Sequence, residues 1–438
     1  MTKPNRFWHV ALSGLVLLLC SEDAWAKSRA RSSPRLRLPS VEQQILDQER
    51  ERAEAAPVAP QEAPPAPPAV TYLFESLFAY ENRGADPGGK SAESLYNASA
   101  LTGFARLDEA FSVTGRLRFE PVAALEAGQG LLPPSTLYLE VLQLRWRHGA
   151  VDVFGGKIHP RFGWALDNLP GIYAGTAAAD YEMRERLGAG TRLRLHQILG
   201  LPEALGRLSV QLEAFGADNS PLSYGAFHPR WLQSKAVTDP TSGETSYNNI
   251  RRWTSSVEVG GAGNNGSLGS IVASLGADRI VIPGGQLGYT GALAWQKPGD
   301  DAASLGRPAT EFGAVGTVFA KFPLPWDVTL EPVLELAKRD QAGGLEGLTV
   351  TWSTAAATLS RGGIGITYAA LSRRENDTRS VSEATIRQNV LNLSVDFEEL
   401  TGVKALKPIS AFIDARQIRQ SGNTVNGMAA GLQLSLSF

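Results

Sequence analysis

The residues of this chain that could do chemistry are charged groups repeating at period two. Between Arg186 and His196, the residues Leu187, Ala189, Thr191, Leu193 and Leu195 share one phase of an extended chain. Arg186, Gly188, Gly190, Arg192, Arg194 and His196 share the other. Arg116 and Arg118 stand in the same way opposite Val113, Leu117 and Phe119. The irregular stretch 158–185 carries the carboxylates Asp167, Asp180, Glu182 and Glu185. Fixed guanidiniums near carboxylates suit ion pairing and the orienting of charged or dipolar solutes. Two uses stay open, because one set of contacts could serve both: the groups could line a charged passage, or the arginines could pair with the loop acids and hold the segment in place.

Bond-making chemistry finds little support. His148, His159, His196 and His228 have no metal-ligand spacing. There is no G-x-S-x-G elbow, and the glycine-rich run 260–266 reads as a turn because no helix follows it. His196 and Ser209 fall on neighbouring predicted strands, but both lie in the polar phase, so they do not make a hydrolase pair on an apolar face. No enzyme activity, cofactor or metal is expected.

The elements that position these groups are strands. Candidates are 71–80, 93–107, 111–120, 136–147, 150–157, 186–196, 206–217, 253–262, 267–278, 285–296, 310–321, 326–338, 347–358, 362–373, 385–397, 408–419 and 426–438. Most are about ten residues long, which matches the ~9–11 tilted residues that cross a bilayer and exceeds the ~5–6 of a soluble strand. The face opposite the apolar one is repeatedly charged, as with Glu331 and Glu335, or Asp396 and Glu398. Strand 136–147 is less regular and predicts a bulge. Tight connections (108–110, 148–149, 322–325, 360–361) alternate with long polar ones (81–92, 121–135, 158–185, 218–252, 297–309, 374–384). Short turns at one end and long loops at the other describe a transmembrane antiparallel β-barrel. Seventeen segments cannot close with both termini at one end: 267–278 and 285–296 would both have to run outward, so this region either merges into one crossing, giving sixteen strands, or hides another, giving eighteen; sixteen is preferred.

Ahead of the strands, Lys3 and Arg6 precede an apolar run from Val10 to Cys20, and Ala24-Trp25-Ala26 supplies a small-x-small cleavage pattern. Residues 1–26 are expected to be a signal peptide; Cys20 raises a lipoprotein alternative, against which Leu19 stands where a small residue is wanted. Segment 27–69 pairs a short amphipathic helix with a proline-rich spacer, and 70–438 is the barrel. Beyond the signal, no stretch approaches the ~20 apolar residues of a membrane helix. A net charge of -2 over 438 residues implies no nucleic-acid partner. Tyr72, Phe74, Trp146, Trp253, Trp295, Trp326 and Trp352 near strand ends suggest aromatic girdles.

Met428, Ala430, Leu432, Leu434, Leu436 and Phe438 share one face of the last strand, and the sequence ends on that aromatic. Phe438 resembles the C-terminal signal read by the barrel assembly machinery. With the export signal and the strand array, residues from about Thr71 onward look like a Gram-negative porin of the trimeric general-diffusion type. More loosely, Gly156, Lys157, Pro160, Phe162, Gly163, Tyr181 and Glu182 resemble the GKxxPxFG and tyrosine-glutamate pattern of another proteobacterial porin family. The resemblance implies a homotrimer among outer-membrane lipid and a water-filled channel for passive diffusion of ions and small hydrophilic solutes. It also implies that the loop after the fifth strand (Ala150–Lys157), residues Ile158–Glu185, folds into the lumen. That loop reads LDNLPGIYAG, without the acidic glycine-rich motif of enterobacterial members. On this reading Arg116, Arg118, Arg192 and Arg194 share one sector of wall beside the acids Asp167, Asp180, Glu182 and Glu185, and give a modest anion preference. Glu331, Glu335 and Asp396 offset it from across the lumen. The competing expectation is a structural or adhesive barrel plugged by 158–185 and 218–252 and tethered to the envelope by 27–69.

Overall fold

The computed structural model describes residues 69–84, 92–121, 131–133, 135–175, 178–218, 220, 225–226, 236–238, 245–247, 265–299, 308–379, 382–420 and 423–438. The expected signal peptide 1–26 and nearly all of the segment 27–69 lie outside the described residues. Sixteen antiparallel strands close into one barrel. They are β1 (Ala69–Arg83), β2 (Ala92–Arg106), β3 (Phe111–Pro121), β4 (Ser135–His148), β5 (Val151–Ile158), β6 (Arg186–Leu193), β7 (Ser209–Ala217) and β8 (Ser270–Ile282), then β9 (Gly285–Gln296), β10 (Glu311–Leu324), β11 (Val328–Asp340), β12 (Leu348–Arg361), β13 (Ile364–Asp377), β14 (Ser382–Asp396), β15 (Ile409–Gln420) and β16 (Asn423–Ser437). Ala236–Thr238 and Thr245–Tyr247 form a separate two-stranded sheet.

Closure joins β1 to β16 from Leu73↔Ser437 to Arg83↔Gly427. Beyond that ladder, Tyr72 N–H donates to the Phe438 carbonyl at 2.8 Å and Phe438 N–H to the Tyr72 carbonyl at 3.0 Å. A closed ring leaves no unpaired strand edge, the condition for β-structure in lipid. The strand count is settled at β7, which pairs directly with β8 from Ser270↔Phe215 to Gly276↔Ser209. The segments 267–278 and 285–296, expected to merge, instead form β8 and β9, a hairpin turning at 283–284, and the barrel closes without the candidate strand 253–262, which lies outside the described residues.

The rule of short turns and long loops holds with exceptions. Connections 107–110, 149–150, 283–284, 325–327 and 362–363 are tight and share the end we call the turn end. Two connections there are longer and hold short helices. Strand 186–196 was expected to run on, but β6 stops at Leu193, and Leu195–Ile198 makes a helical turn in which His196 Nδ1 lies 3.0 Å from the Leu208 carbonyl. Asp396 was expected on the lumen wall. It instead caps the helix Phe397–Thr401, its carboxylate accepting from Glu399 N–H at 2.9 Å, with Gly402 closing the other end at φ 71°. At the opposite end β15 and β16 are separated by only two residues, and β13 and β14 by four where a long loop over 374–384 was expected, because both strands of that pair run on past the predicted ends.

The outer face is apolar across most of the wall, with Phe78, Leu101, Leu144, Leu293, Val318 and Leu334 exposed. The inner face divides in two. On β1–β7 it is charged, and Glu75, Arg116, Glu120, Glu140, Asp152 and Glu213 are all buried within the barrel. On β8–β13 it carries a smooth apolar stretch of Val272, Ala292, Ala294, Val315, Ala337, Ala356 and Ala369, beside which stand the buried charges Glu311, Glu335 and Arg339. The expected bulge sits in β4, where the register with β3 shifts between Arg116↔Val141 and Leu117↔Leu139. That extra residue turns two neighbours, Glu140 and Val141, inward together. Trp352 does not join a girdle: it is 5% exposed, faces the lumen, and its ring packs 5.3 Å from that of Tyr181. Trp253 lies outside the described residues.

Deleting Phe438 removes both backbone bonds that extend the β1–β16 seam and the ring contact with Tyr72. The heat-modifiable, strand-rich folded form should drop several-fold on gels after the deletion. Phe438→Leu keeps the backbone bonds and should keep most of the yield.

Candidate functional site

The connection 159–185 between β5 and β6 folds into the barrel. Its apolar residues Phe162, Ala165, Leu166, Leu169, Tyr173, Ala178, Tyr181 and Met183 are buried in one cluster with the smooth wall of β8–β13. Burying these side chains against alanines is worth roughly 1.5–3 kcal/mol for each large one. Fixing the loop's position takes more, because its backbone N–H groups leave water without a strand partner. Wall carboxylates accept from them.

Glu335 on β11 accepts from Trp164 N–H at 2.8 Å, Ala165 N–H at 3.2 Å and Thr317 Oγ1 at 2.5 Å, and also from the Tyr181 hydroxyl. Two backbone donors and two hydroxyls use up the lone pairs of one ionised carboxylate. Asp414 on β15 takes the loop's tip, accepting from Ile172 N–H at 2.6 Å, Tyr173 N–H at 3.2 Å and Asn392 Nδ2 at 2.6 Å. Gly171 (φ 74°) precedes this contact, and a Cβ there would lie 2.3 Å from Asp414 Oδ1. Glu213 on β7 accepts from Arg161 N–H at 2.8 Å. The Arg416 guanidinium stacks 4.1 Å over the Tyr173 ring, and Gln388 Nε2 donates to the Tyr173 carbonyl at 3.1 Å.

The base of the loop meets a charged cluster on β3 and β4. Glu140 receives Arg116 Nε at 3.1 Å and Arg118 Nη1 at 2.9 Å. Arg116 also lies 3.5 Å from Glu75, and Arg118 lies 2.8 Å from Glu120, which in turn accepts from the Tyr138 hydroxyl at 2.6 Å. The wall arginines thus reach wall carboxylates, whereas opposition to the loop acids was expected. The loop brings its own cation: Arg184 lies 2.5 Å from Asp167 and 3.1 Å from Glu182, and its other nitrogen is 3.9 Å from Glu140. Asp180 lies 3.6 Å from Arg373 and accepts weakly from Trp352 Nε1 at 3.5 Å. Glu185 pairs with Lys157 at 3.2 Å.

Arg192 and Arg194 stand elsewhere. Arg192 faces Asp152 across the β5–β6 ladder, and Arg194, just past the end of β6, reaches both Asp152 oxygens at 2.7 Å. Arg147 lies 2.9 Å and Arg145 3.9 Å from the same carboxylate. The row next to Arg116 continues through Leu142 and Lys157 to Leu187. Arg192 is five residues farther toward the turn end, roughly 17 Å along the strand. The four arginines therefore form two clusters at different heights. Sequence reasoning missed Asp414, Glu213, Glu140 and Arg184. Glu213 carried a usable signal, a lone carboxylate in the inward phase of the otherwise neutral stretch Ser209–Ala217.

Burial, with Asp167 close by, pushes the Glu182 carboxyl well above the usual carboxylate range, against the pull of Arg184. Burial lowers His159 to about 4, more than the nearby Glu140 can restore, so this ring is neutral in the folded loop. The two signs differ. A depressed histidine contributes stability that is complete above 6.5 and is lost as pH falls toward about 4. The raised Glu182 contributes stability below 4.5 that is lost as pH rises through its folded value.

The class defined by this fold and loop is the closed sixteen-strand antiparallel β-barrel with an inward-folded loop between β5 and β6. No protein-family model and no curated sequence matches the chain. Among solved structures, OmpF of Salmonella typhi, in complex with daunomycin, is similar at TM-score 0.53 and 11% identity over 84% of this chain and 97% of that one. The outer membrane channel DcaP of Acinetobacter baumannii is similar at TM-score 0.50 and 12% identity over 85% of this chain and 97% of that one. The likeness is one of fold.

Glu335→Gln and Asp414→Asn each remove a charged acceptor from loop N–H groups, a loss of about 1–3 kcal/mol. Either variant should raise and destabilise single-channel current while the barrel stays heat-modifiable; an unchanged current would show that these carboxylates do not hold the loop. His159→Gln should flatten the fall in melting temperature between pH 6.5 and about 4.

Proposed function

We propose that this protein is an outer-membrane porin, a water-filled channel for passive diffusion of ions and small hydrophilic solutes. The observation that carries the reading is the loop clamped inside a sixteen-strand barrel by Glu335 and Asp414, which narrows the lumen. Barrels of 16–18 strands leave an aqueous channel where ~8 strands are filled by side chains. Non-helical backbone at membrane depth is tolerated where it lines such a cavity. On this reading the chain is exported by a cleaved signal at 1–26, assembled by machinery that reads Phe438, and trimeric. A second reading, a plugged structural barrel, draws on the near-complete burial of Arg116, Glu140, Lys157 and Glu185 beside the loop. Single-channel recording in a planar bilayer separates the two: stepwise conductance supports the porin, and a silent but correctly folded barrel supports the plug.

Ion preference follows from where the guanidiniums gather. Arg116 lies between Glu75 and Glu140, whereas Arg145, Arg147 and Arg194 converge on Asp152 near the turn end. Guanidiniums gathered there enrich anions within a Debye length of ~8 Å. Replacing Arg192 and Arg194 with glutamine should shift the reversal potential in a salt gradient toward cations, with Arg118→Gln adding less. A fixed reversal potential in a conducting variant would remove these side chains from the ion path.

A further inference from the structure

Two adjoining grooves run along the outer wall. One, of about 630 Å³, is lined on its outer side by Ala314, Gly316, Leu336 and Ser353. The other, of about 420 Å³, lies among Ile271, Leu293, Trp295 and Phe312 and shares Ala314 and Lys338 with the first. Their floor is made of small residues, and Ile271, Leu293, Phe312 and Leu336 stand exposed along them. Together they make an apolar trough on a face that must meet something other than water if the barrel crosses a membrane.

The loop-side rim of this trough is basic and rich in hydroxyls. Lys338 stands opposite Thr351, which stands opposite Arg374. One row toward the turn end, Leu336, Ser353, Ser372, Arg387 and Arg419 follow one another across β11–β15. The side chains of Lys338 and Arg374 are 53% and 59% exposed. Their partners Asp340, at 2.8 Å, and Glu383, at 2.7 Å, are exposed as well, so these pairs are weak and exchangeable. Arg387 and Arg419 are exposed and directly opposed in register. Like charges placed across a ladder repel. An anion seated between them turns that repulsion into two charge-assisted contacts.

We propose that this face binds a phosphate-bearing lipid of the leaflet on the loop side. An acyl chain lies in the trough, and the phosphate rests on the rim formed by Lys338, Arg374, Arg387 and Arg419, with Thr351, Ser353 and Ser372 as hydroxyl donors. The site rests on the membrane placement argued above but not on conduction. Basic pockets at the edge of an apolar band are the chemistry by which membrane proteins select anionic headgroups.

The test is native mass spectrometry of the full chain released from detergent after incubation with dioleoyl phosphatidic acid or, as the phosphate-free counterpart, dioleoylglycerol. Wild type should retain phosphatidic acid. The quadruple Lys338→Gln, Arg374→Gln, Arg387→Gln, Arg419→Gln variant should retain it at least about tenfold less, given the contribution of each basic residue. A Cβ at Gly316 meets no atom within 4 Å, so Gly316→Leu fills the trough without disturbing the wall and should lower retention too. Heat-modifiable mobility shows that each variant is folded. Equal retention by wild type and quadruple variant, or equal retention of dioleoylglycerol, overturns the proposal. So does displacement by inorganic phosphate at the lipid's own concentration, which would mark a free-anion site, or a fall in oligomer mass, which would mark a contact between copies. Conductance is recorded on the same samples. A silent wild type that retains phosphatidic acid defeats the channel reading alone, and a conducting wild type that does not retain it defeats the lipid site alone.

Discussion

A polypeptide folded into the lumen of a barrel has to find partners for its backbone N–H groups away from the strand ladders, and the rest of this structure is arranged around that requirement. Glu335 meets it at the start of the inward loop and Asp414 at the tip. Each is a carboxylate fixed on a rigid strand, and each accepts from consecutive backbone donors, so the loop is held by its main chain. Side-chain identity is then free to serve packing. This is why 159–185 can be largely apolar within a water-facing barrel and still have one position.

The same requirement explains the division of the inner wall. An ion-lined surface offers poor contact for Phe162, Leu166 or Leu169, and desolvating its charges would cost more than the packing returns. The wall beneath the loop is accordingly rich in alanine and valine, with Glu335 turned to the loop's N–H groups and Glu311 paired with Arg339, while charge is densest on β1–β7, where salt bridges compensate it. Glu140 links the halves. It is turned inward by the β4 bulge, receives Arg116 and Arg118, and lies within 3.9 Å of Arg184 from the loop. Removing one member of such a buried cluster strands the others, at about 3–5 kcal/mol.

Much of the architecture was legible in the sequence because period-two alternation is a local property. Alternation in segments such as 111–120 and 426–438 identifies strand, face and approximate length together. The inward loop was placed by the porin resemblance together with the strand order that made 150–157 the fifth strand. The failures were non-local. Trp352 reads as an interfacial aromatic until Tyr181 is known to lie beside it. The arginines of β3 and β6 read as one row, because strand number gives angular position but register gives height. His196 and Asp396 continue the polar phase of their strands on paper; a helical turn and an N-cap interrupt those strands, and local hydrogen bonds decide such endings.

On the proposed channel reading, height matters because fields in salt water are short-ranged. The Glu140 and Asp152 clusters are separated by roughly 17 Å along the strand, about two Debye lengths at physiological salt. Each therefore acts on a passing ion by its own local balance. Around Glu140, Arg116 and Arg118 are met by Glu75, Glu120 and Glu140, so the narrow region beside the loop presents a compensated lattice that positions dipoles more than it attracts ions. Around Asp152, near the turn end, three guanidiniums converge on one carboxylate. On the proposed channel reading, the loop and the Asp152 cluster are thus separate devices: shape selection falls to the loop and its carboxylate clamps, and charge preference to arginines more than a strand's half-length away.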